Sequence, residues 1–527
     1  MVQNDPDALV EYGFRRVIIT VIAILCSLLE IVDTTIVNVA LNNMRGSLGA
    51  TLTDIAWVIT AYAIANVIII PMTSWLSQQF GRRNYFTASI IIFTAASFMC
   101  GNASNIWELV IFRFIQGLGG GALLVTAQTI LTESYPIAKR GMAQAFYGMG
   151  VIMGPTLGPP LGGYIVEHFS WPYIFYINIP LGIIATILTL MFIKSPKYGE
   201  KLKASQVDWL GIFYLSAFIG SLQYILEHGQ QDDWFNNNTI VILSIVTFFG
   251  LILFIKREKT YKHPIVNLNV LKNTNLRVGT IMAFILGFGL YASTFLIPIY
   301  TQSILRWSAL DAGLILIPSS LMTGFMMPLV GKLIQRGVSQ KYMITVGFLA
   351  FFCFTFWMSR VLTPDTGEEH MYWPLILRGL GLGLLFVPIT SLSLSTLKGK
   401  EIGEGAAFTG MMRQLGGSFG IAIITTFISR FGQQHRVDLV SKLDRTHFVV
   451  QNQINMLQKG FMAKGFTFNE AINKTNQILE LKVTKQANVL AFMDIFLYLG
   501  IMFLICIPIV LVLKTGKNKV DPADMMH

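Results

Sequence analysis

An all-α polytopic membrane protein with fourteen transmembrane helices, arranged as two six-helix halves plus two inserted linker helices, is predicted by three features of this sequence. Apolar residues come in blocks of about twenty or more, the length that crosses a hydrocarbon core about 30 Å thick. Basic residues gather at alternate ends of these blocks, a topology signal in a membrane protein. Three short stretches of the first half also recur in order in the second, as expected for parallel repeats related by an axis along the membrane normal.

The composition excludes other classes. Of 527 residues, 53% are hydrophobic and 13% charged, and stretches such as 240–255 are apolar all round rather than amphipathic, so no soluble core is expected. The first apolar run continues past any plausible cleavage site, so it reads as a span and not a signal peptide. A net charge of +11 would suggest nucleic acid in a soluble protein; here the cations sit at span ends, and membrane lipids, not nucleic acid, are the expected surroundings. Cys26, Cys100, Cys353 and Cys506 fall singly in apolar runs and read as small core hydrophobes.

Taken in order, the spans lie near 17–41, 54–76, 84–101, 106–131, 141–166, 171–193, 207–228, 238–255, 277–302, 310–334, 341–360, 372–396, 405–430 and 488–513. With both termini in the cytoplasm, Arg15, Arg16, Arg82, Arg83, Lys139, Arg140, Lys194, Lys197, Lys201 and Lys203 lie inside, followed by Lys256 to Lys272, Lys341, Lys398, Lys400, Lys514, Lys517 and Lys519. The segment 431–487 is placed outside despite its cations, since the charge rule weakens for long loops; its spaced apolar residues predict amphipathic helices.

The internal echoes pair GMAQAFYGMG (141–150) with EGAAFTGMMR (404–413), FRFIQGLGGG (112–121) with LRGLGLGLLF (377–386), and WLSQQFGRRNY (75–85) with KLIQRGVSQKY (332–342). They divide the chain into an N-terminal half (1–194), linkers with two inserted spans (195–275) and a C-terminal half (276–527) that includes the external segment 431–487.

A charge at the centre of a span costs about 3 kcal/mol even on the lenient insertion scale, so such residues face a cavity or a partner. Asp33 lies roughly 12 Å inside the end of the first span at 1.5 Å per residue, with Glu30 one turn earlier and nearer the midplane. Arg113 and Arg378 share the depth of Asp33, which allows ion pairing or exchange. Burial favours a protonated carboxyl and a nearby guanidinium an ionised one, so a variable arginine distance would load and release a proton. The alternatives are a permanent structural pair or a solvated carboxylate. Glu30 could instead attract a cationic substrate, Arg378 and Arg413 are divided between cavity and structural roles, and Glu133 and Asp494, nearer span ends, read as solvated. In the fifth span, Gly150, Gly154, Gly158, Gly162 and Gly163 allow close backbone approach, while Pro155, Pro159 and Pro160 kink the helix. Met149, Met153, Met411, Met412, Tyr62 and Tyr291 are candidates to line an adaptable cavity.

VDTTIVNVAL (32–41), FRFIQG (112–117), GVIMGPTLGPPLGGYI (150–165), WPYIFYINIPLG (171–182) and GSLQYILEHGQQDDWF (220–235) together resemble motifs of the fourteen-span drug:proton antiporters (the EmrB/QacA family) of the major facilitator superfamily. The chain is most similar to the inner-membrane subunit of tripartite multidrug pumps. That resemblance implies the superfamily fold and proton-coupled efflux of hydrophobic or amphipathic compounds across the cell inner membrane. It implies Asp33, Glu30 and Arg113 as coupling residues, and a cavity that adds Asn38 and Gln116 to Tyr62, Met149, Met153, Tyr291, Arg378, Met411 and Arg413. The glycines and prolines of the fifth span become a gate, and the segment 431–487 a dock for a periplasmic adaptor leading to an outer-membrane channel. In the loop after the second span, Gln78 stands where the resemblance implies an aspartate, and an amide cannot ionise. Arg82 and Arg83 remain, as a latch or as positive-inside anchors.

No enzyme, cofactor or metal is expected. The seven histidines, His168, His228, His263, His370, His435, His447 and His527, lie in loops or near span ends and form no paired-His motif. No G-x-x-x-x-G-K-[ST] loop occurs, so ATP is not the energy source. A facilitator would need no buried carboxylate, and an exporter of one metabolite, lipid or siderophore remains the alternative.

Overall fold

No water serves backbone N–H and C=O groups in the bilayer interior, so each span must satisfy them within its own helix. The computed structural model is all-helical among its described residues, 9–196, 206–443 and 448–512. Lys197, Lys201, Lys203, Lys514, Lys517 and Lys519 of the charge pattern lie outside the described residues, as do His447, His527 and the last position of the fourteenth span.

The long helices are α1 (Gly13–Leu48), α2 (Leu52–Phe80), α3 (Arg82–Gly101), α4 (Ile106–Ser134), α5 (Arg140–His168), α6 (Asn178–Phe192), α7 (Trp209–His228), α8 (Asn238–Thr260), α9 (Thr274–Ser303), α10 (Ile317–Gln335), α11 (Gln340–Val361), α12 (Glu368–Leu394), α13 (Lys400–Ser441), α14 (Phe448–Ala463) and α15 (Phe468–Cys506). Among the described residues, thirteen segments are long and apolar enough to cross a membrane. The fourteenth is α5, 29 residues long, whose glycines and three internal prolines dilute its hydropathy. Two spans are broken: short turns at Tyr173–Tyr176 and Ala309–Leu314 precede α6 and α10.

Local chemistry sets several boundaries. Thr51 and Asp54 form a capping box that starts α2, as Thr467 and Glu470 do for α15, each satisfying backbone donors that the first turn leaves open. Gly49, at φ 61°, ends α1 in the left-handed region, where glycine carries no Cβ penalty.

Packing repeats between the halves. α1 lies on α5, α2 on α4 and α3 on α4; in the same way α9 lies on α13, α10 on α12 and α11 on α12. The halves meet where α5 packs on α10 and α2 on α13. The inserted α7 and α8 pack on each other, and α7 reaches α2. Only 17% of the apolar window of α8 is buried, against 83% for α12, so α8 lies at the lipid-facing periphery and α12 in the core.

α13 runs past its predicted end to Ser441. α15, at 39 residues, is roughly 58 Å long at 1.5 Å per residue, well beyond a bilayer core. With α14, which has no buried residues and leans on α15, they build a helical hairpin on one face of the bundle. Arg436 and Glu480 pair across it at 2.7 Å.

Three expectations are corrected. Glu133 is not a solvated span-end carboxylate: it is 7% exposed and takes a two-point ion pair from the equally buried Arg82. Arg82 is therefore not a free positive-inside anchor. Cys353 is exposed on α11, while Cys26 and Cys100 are buried.

Candidate functional site

α5 positions the first span. A Cβ added at Gly150, Gly154, Gly158 or Gly162 would run into Ser27, Ile31, Thr35 or Ile36 of α1 respectively, so these four glycines, spaced by one helical turn, let the two backbones touch. Gly163 instead faces Leu310 at 3.6 Å, in the other half. With one face of α1 against α5, Glu30 and Asp33 are turned toward α2, α4 and α6.

Asp33 is fully buried and has three donors. Arg113 reaches Oδ2 at 2.5 Å, while the amides of Gln116 and Asn178 reach Oδ1 at 2.8 and 2.7 Å. Arg113, 1% exposed, also donates to the Gln116 side-chain oxygen at 2.7 Å and to the Val58 carbonyl at 3.2 Å. Its guanidinium lies 4.0 Å from the Tyr62 ring centroid, a cation–π distance. Ser97 accepts from Gln116 at 2.7 Å. A buried ion pair is tolerable when its remaining donors and acceptors are satisfied in this way. If Asp33 took up a proton, Arg113 would keep Val58, Gln116 and Tyr62 as partners, so the pair can open without stranding its cation.

Glu30, one turn away, is 3% exposed. Its Oε1 accepts from Asn66 at 2.8 Å, and its Oε2 has no hydrogen-bond partner among the described residues. Gly120 of α4 makes room: a Cβ there would meet the Tyr62 hydroxyl and come within 3.4 Å of Glu30 Cγ. From the other half, Arg413 is 3% exposed and donates through one Nη2 bond to the Tyr147 hydroxyl at 2.8 Å. Its Nη1 is buried without a partner, and its charge is near enough to act on Glu30. A carboxylate and a guanidinium, each with one unused polar atom, thus approach from opposite halves.

The other predicted residues are distributed. Gln116 belongs to the Asp33 cluster instead of lining a cavity. Arg378 does not join Asp33; it is bound by hydroxyls of Ser293, Thr294 and Ser319 at 2.8, 2.5 and 2.9 Å. The second half thus keeps the arginine of the repeat without the acid. Met149 and Tyr291 pack against the main apolar cluster near Phe386, and Tyr291 donates to Gln414 at 3.3 Å. Met153 is half-buried and Asn38 exposed. Met411 packs in a separate cluster with Ile70, Val125 and Leu394, and Met412 with Leu215, Ile219 and Leu415. Asp494 meets His435 at 2.8 Å near the hairpin. Asn178, Ser97, Asn66 and Tyr147 were not anticipated; the amides Asn66 and Asn178, set in apolar runs, were the available signal.

On the face opposite the hairpin, a cavity of about 380 Å³ lies between the halves, lined by Ser74, Gln78, Arg82, Thr129, Lys400 and Gly403 among others. Gln78 donates to Ser74 at a long 3.4 Å, and the backbone N–H of Arg83 donates to Ser195 at 3.1 Å.

Residues 23–421 match the family described as Major Facilitator Superfamily. The chain belongs to that superfamily. The fatty acid resistance protein FarB of Neisseria gonorrhoeae is 34% identical over 92% of this chain and 94% of its own length. The multidrug export protein EmrB of Escherichia coli (strain K12) is 30% identical over 88% and 92%. The crystal structure of the human organic anion transporter MFSD10 (TETRAN) shares the fold, with a TM-score of 0.57 at 11% identity over 93% of this chain and 100% of that one. This superfamily member is a multi-pass membrane transporter and not an enzyme. Among its described residues no cluster of His, Cys, Asp and Glu could hold a metal ion.

Proposed function

We propose that this transporter exports hydrophobic or amphipathic compounds by alternating access, driven by inward proton flow through Asp33. The observation that carries the reading is the buried Asp33–Arg113 pair on the helix that α5 clasps through glycines. Protonation of Asp33 removes its charge, releases Arg113 to Gln116 and Val58, and loosens the junction of α1, α4 and α6. Deprotonation restores it. Coupling follows if the two conformations open Asp33 to opposite sides of the membrane.

Substrate would bind between the halves, beside Glu30, Tyr62 and Arg413, with Met149, Met153 and Tyr291 as the adaptable wall. Asn38 and Met411, which lie apart from that wall, and Arg378, already satisfied by hydroxyls, have secondary roles in this reading. The glycines and prolines of α5, Gly150 to Gly163, form the gate. Both termini face the cytoplasm of a cell whose inner membrane holds the protein, and the hairpin docks a periplasmic adaptor that leads to an outer-membrane channel. The halves 1–194 and 276–527 move as the rocking units, with 195–275 between them.

One observation favours a narrower substrate class. Arg413 offers a buried, unused guanidinium nitrogen, suited to a carboxylate head group, and the relative FarB is named for fatty acid resistance. The test is whole-cell efflux of a panel of cationic dyes and long-chain fatty acids, with and without a protonophore. Export abolished by the protonophore supports coupling; unaffected export would make the protein an uncoupled facilitator.

A further inference from the structure

The inserted helix α7 brings a second group of ionisable residues against α2, away from Asp33. Thr60 Oγ1 lies 2.9 Å from His228 Nε2 and 3.2 Å from Glu227 Oε2. The other carboxylate oxygen of Glu227 accepts from Gln223 at 2.8 Å. His228 is 7% exposed, Thr60 2% and Gln223 1%, and Gln223 Oε1 is buried without a partner. His228 stacks on Tyr224 at 4.6 Å, and Trp57 lies 5.8 Å from the imidazole and 5.5 Å from Tyr224. His228 is the buried ring of the three, and its Nε2 meets a hydroxyl that is bridged to a carboxylate, an arrangement that fits a proton.

We propose that His228, Thr60 and Glu227 form a second proton-binding site on the seam between α7 and α2. The hydroxyl of Thr60 has one hydrogen and two acceptors, Glu227 Oε2 and the Ala56 carbonyl, both at 3.2 Å. An imidazolium at His228 donates its Nε2–H to Thr60 Oγ1, and the Thr60 hydroxyl then points its own hydrogen at Glu227 Oε2, so the carboxylate favours the charged ring through the hydroxyl.

The surroundings are otherwise sparing in charge. Asp232, in the loop after α7, lies beside Tyr224 and His228, and Asp233 bonds Asn236. From α2, Asp54 is half-buried and bonded to Thr51. α8 carries no ionisable side chain before Lys256, at its far end. On the part of α13 that packs beside α7, Arg413 is turned to Tyr147.

Trp57 reports on the site, because a protonated imidazole quenches a neighbouring indole. In purified full-length protein in lipid nanodiscs, the fluorescence that Trp57→Phe removes should fall as the pH is lowered. His228→Gln should abolish this step. Glu227→Gln should lower its midpoint by about 1 pH unit, the low end for loss of an opposite charge within 4–6 Å. Thr60→Val, isosteric but unable to bridge, should lower it as well, and serves if Glu227→Gln fails to assemble. Asp33→Asn should leave the step in place, so failure here and failure of the coupling proposal are distinguishable. Absence of a Trp57-dependent step between about pH 5 and 8, where an imidazole titrates, would overturn the proposal, as would a midpoint that none of the three substitutions moves.

Discussion

Replacing Asp33 with Asn tests the coupling reading most directly. The two carboxylate oxygens serve three donors, with Arg113 on one and the amides of Gln116 and Asn178 on the other. An asparagine has one acceptor oxygen and one NH2 group. In either orientation the NH2 faces donors, and Arg113, 1% exposed, loses its counter-charge. Removing one partner of a buried pair costs about 3–5 kcal/mol. The retained bonds to Val58 and Gln116 and the Tyr62 ring place this case near the lower end, about 3 kcal/mol. The variant should insert, unfold at lower temperature, and lose concentrative export in proteoliposomes carrying a pH gradient while still binding substrate. Combining it with Arg113→Gln should recover part of the loss in stability, with a coupling energy of about 2 kcal/mol, within the range for residues in contact. A normally assembled Asp33→Asn protein that exports against a gradient as the parent does, or stability losses that add within about 0.5 kcal/mol, would refute the reasoning.

Arg113→Ala removes the cation that favours ionised Asp33, so the pH profile of export should shift to higher pH; superimposable profiles would leave Arg113 a packing residue. Gly158→Val drives a side chain into Thr35 and the α1 backbone and should abolish assembly or transport. Gly163→Ala, whose new methyl would meet Leu310 at an ordinary 3.6 Å, should keep both, and equal tolerance at the two positions would remove the close-packing argument. Replacing residues 436–482 by a short flexible linker should preserve proton-driven movement in vesicles but abolish whole-cell resistance. Loss of vesicle transport in the folded variant would make the hairpin part of the gate, and retained resistance would argue against adaptor docking.

The helical class, the long apolar segments and the repeat were legible in the sequence, because hydropathy over about twenty residues is a local property that the bilayer reads directly. The glycine spacing of α5 was legible too, as a face built for contact, but its partner was not. Two residues at one depth can face a cavity, a lipid or each other, and sequence depth alone ranked Arg113 and Arg378 equally as neighbours of Asp33. Tertiary packing separated them: α5 clasps the Ser27–Ile31–Thr35 face of α1 and so turns Asp33 to Arg113 and Asn178, while Arg378 finds only hydroxyls. The same holds for Glu133, which reads as a solvated span end until Arg82, 51 positions away in the chain, is seen to cover it. The sequence by itself determined which segments are long and apolar enough to cross a membrane and where along each segment a charge falls. Only the tertiary structure decided which charges meet, because the rotation of a helix about its axis is set by small residues on neighbouring helices far away in sequence.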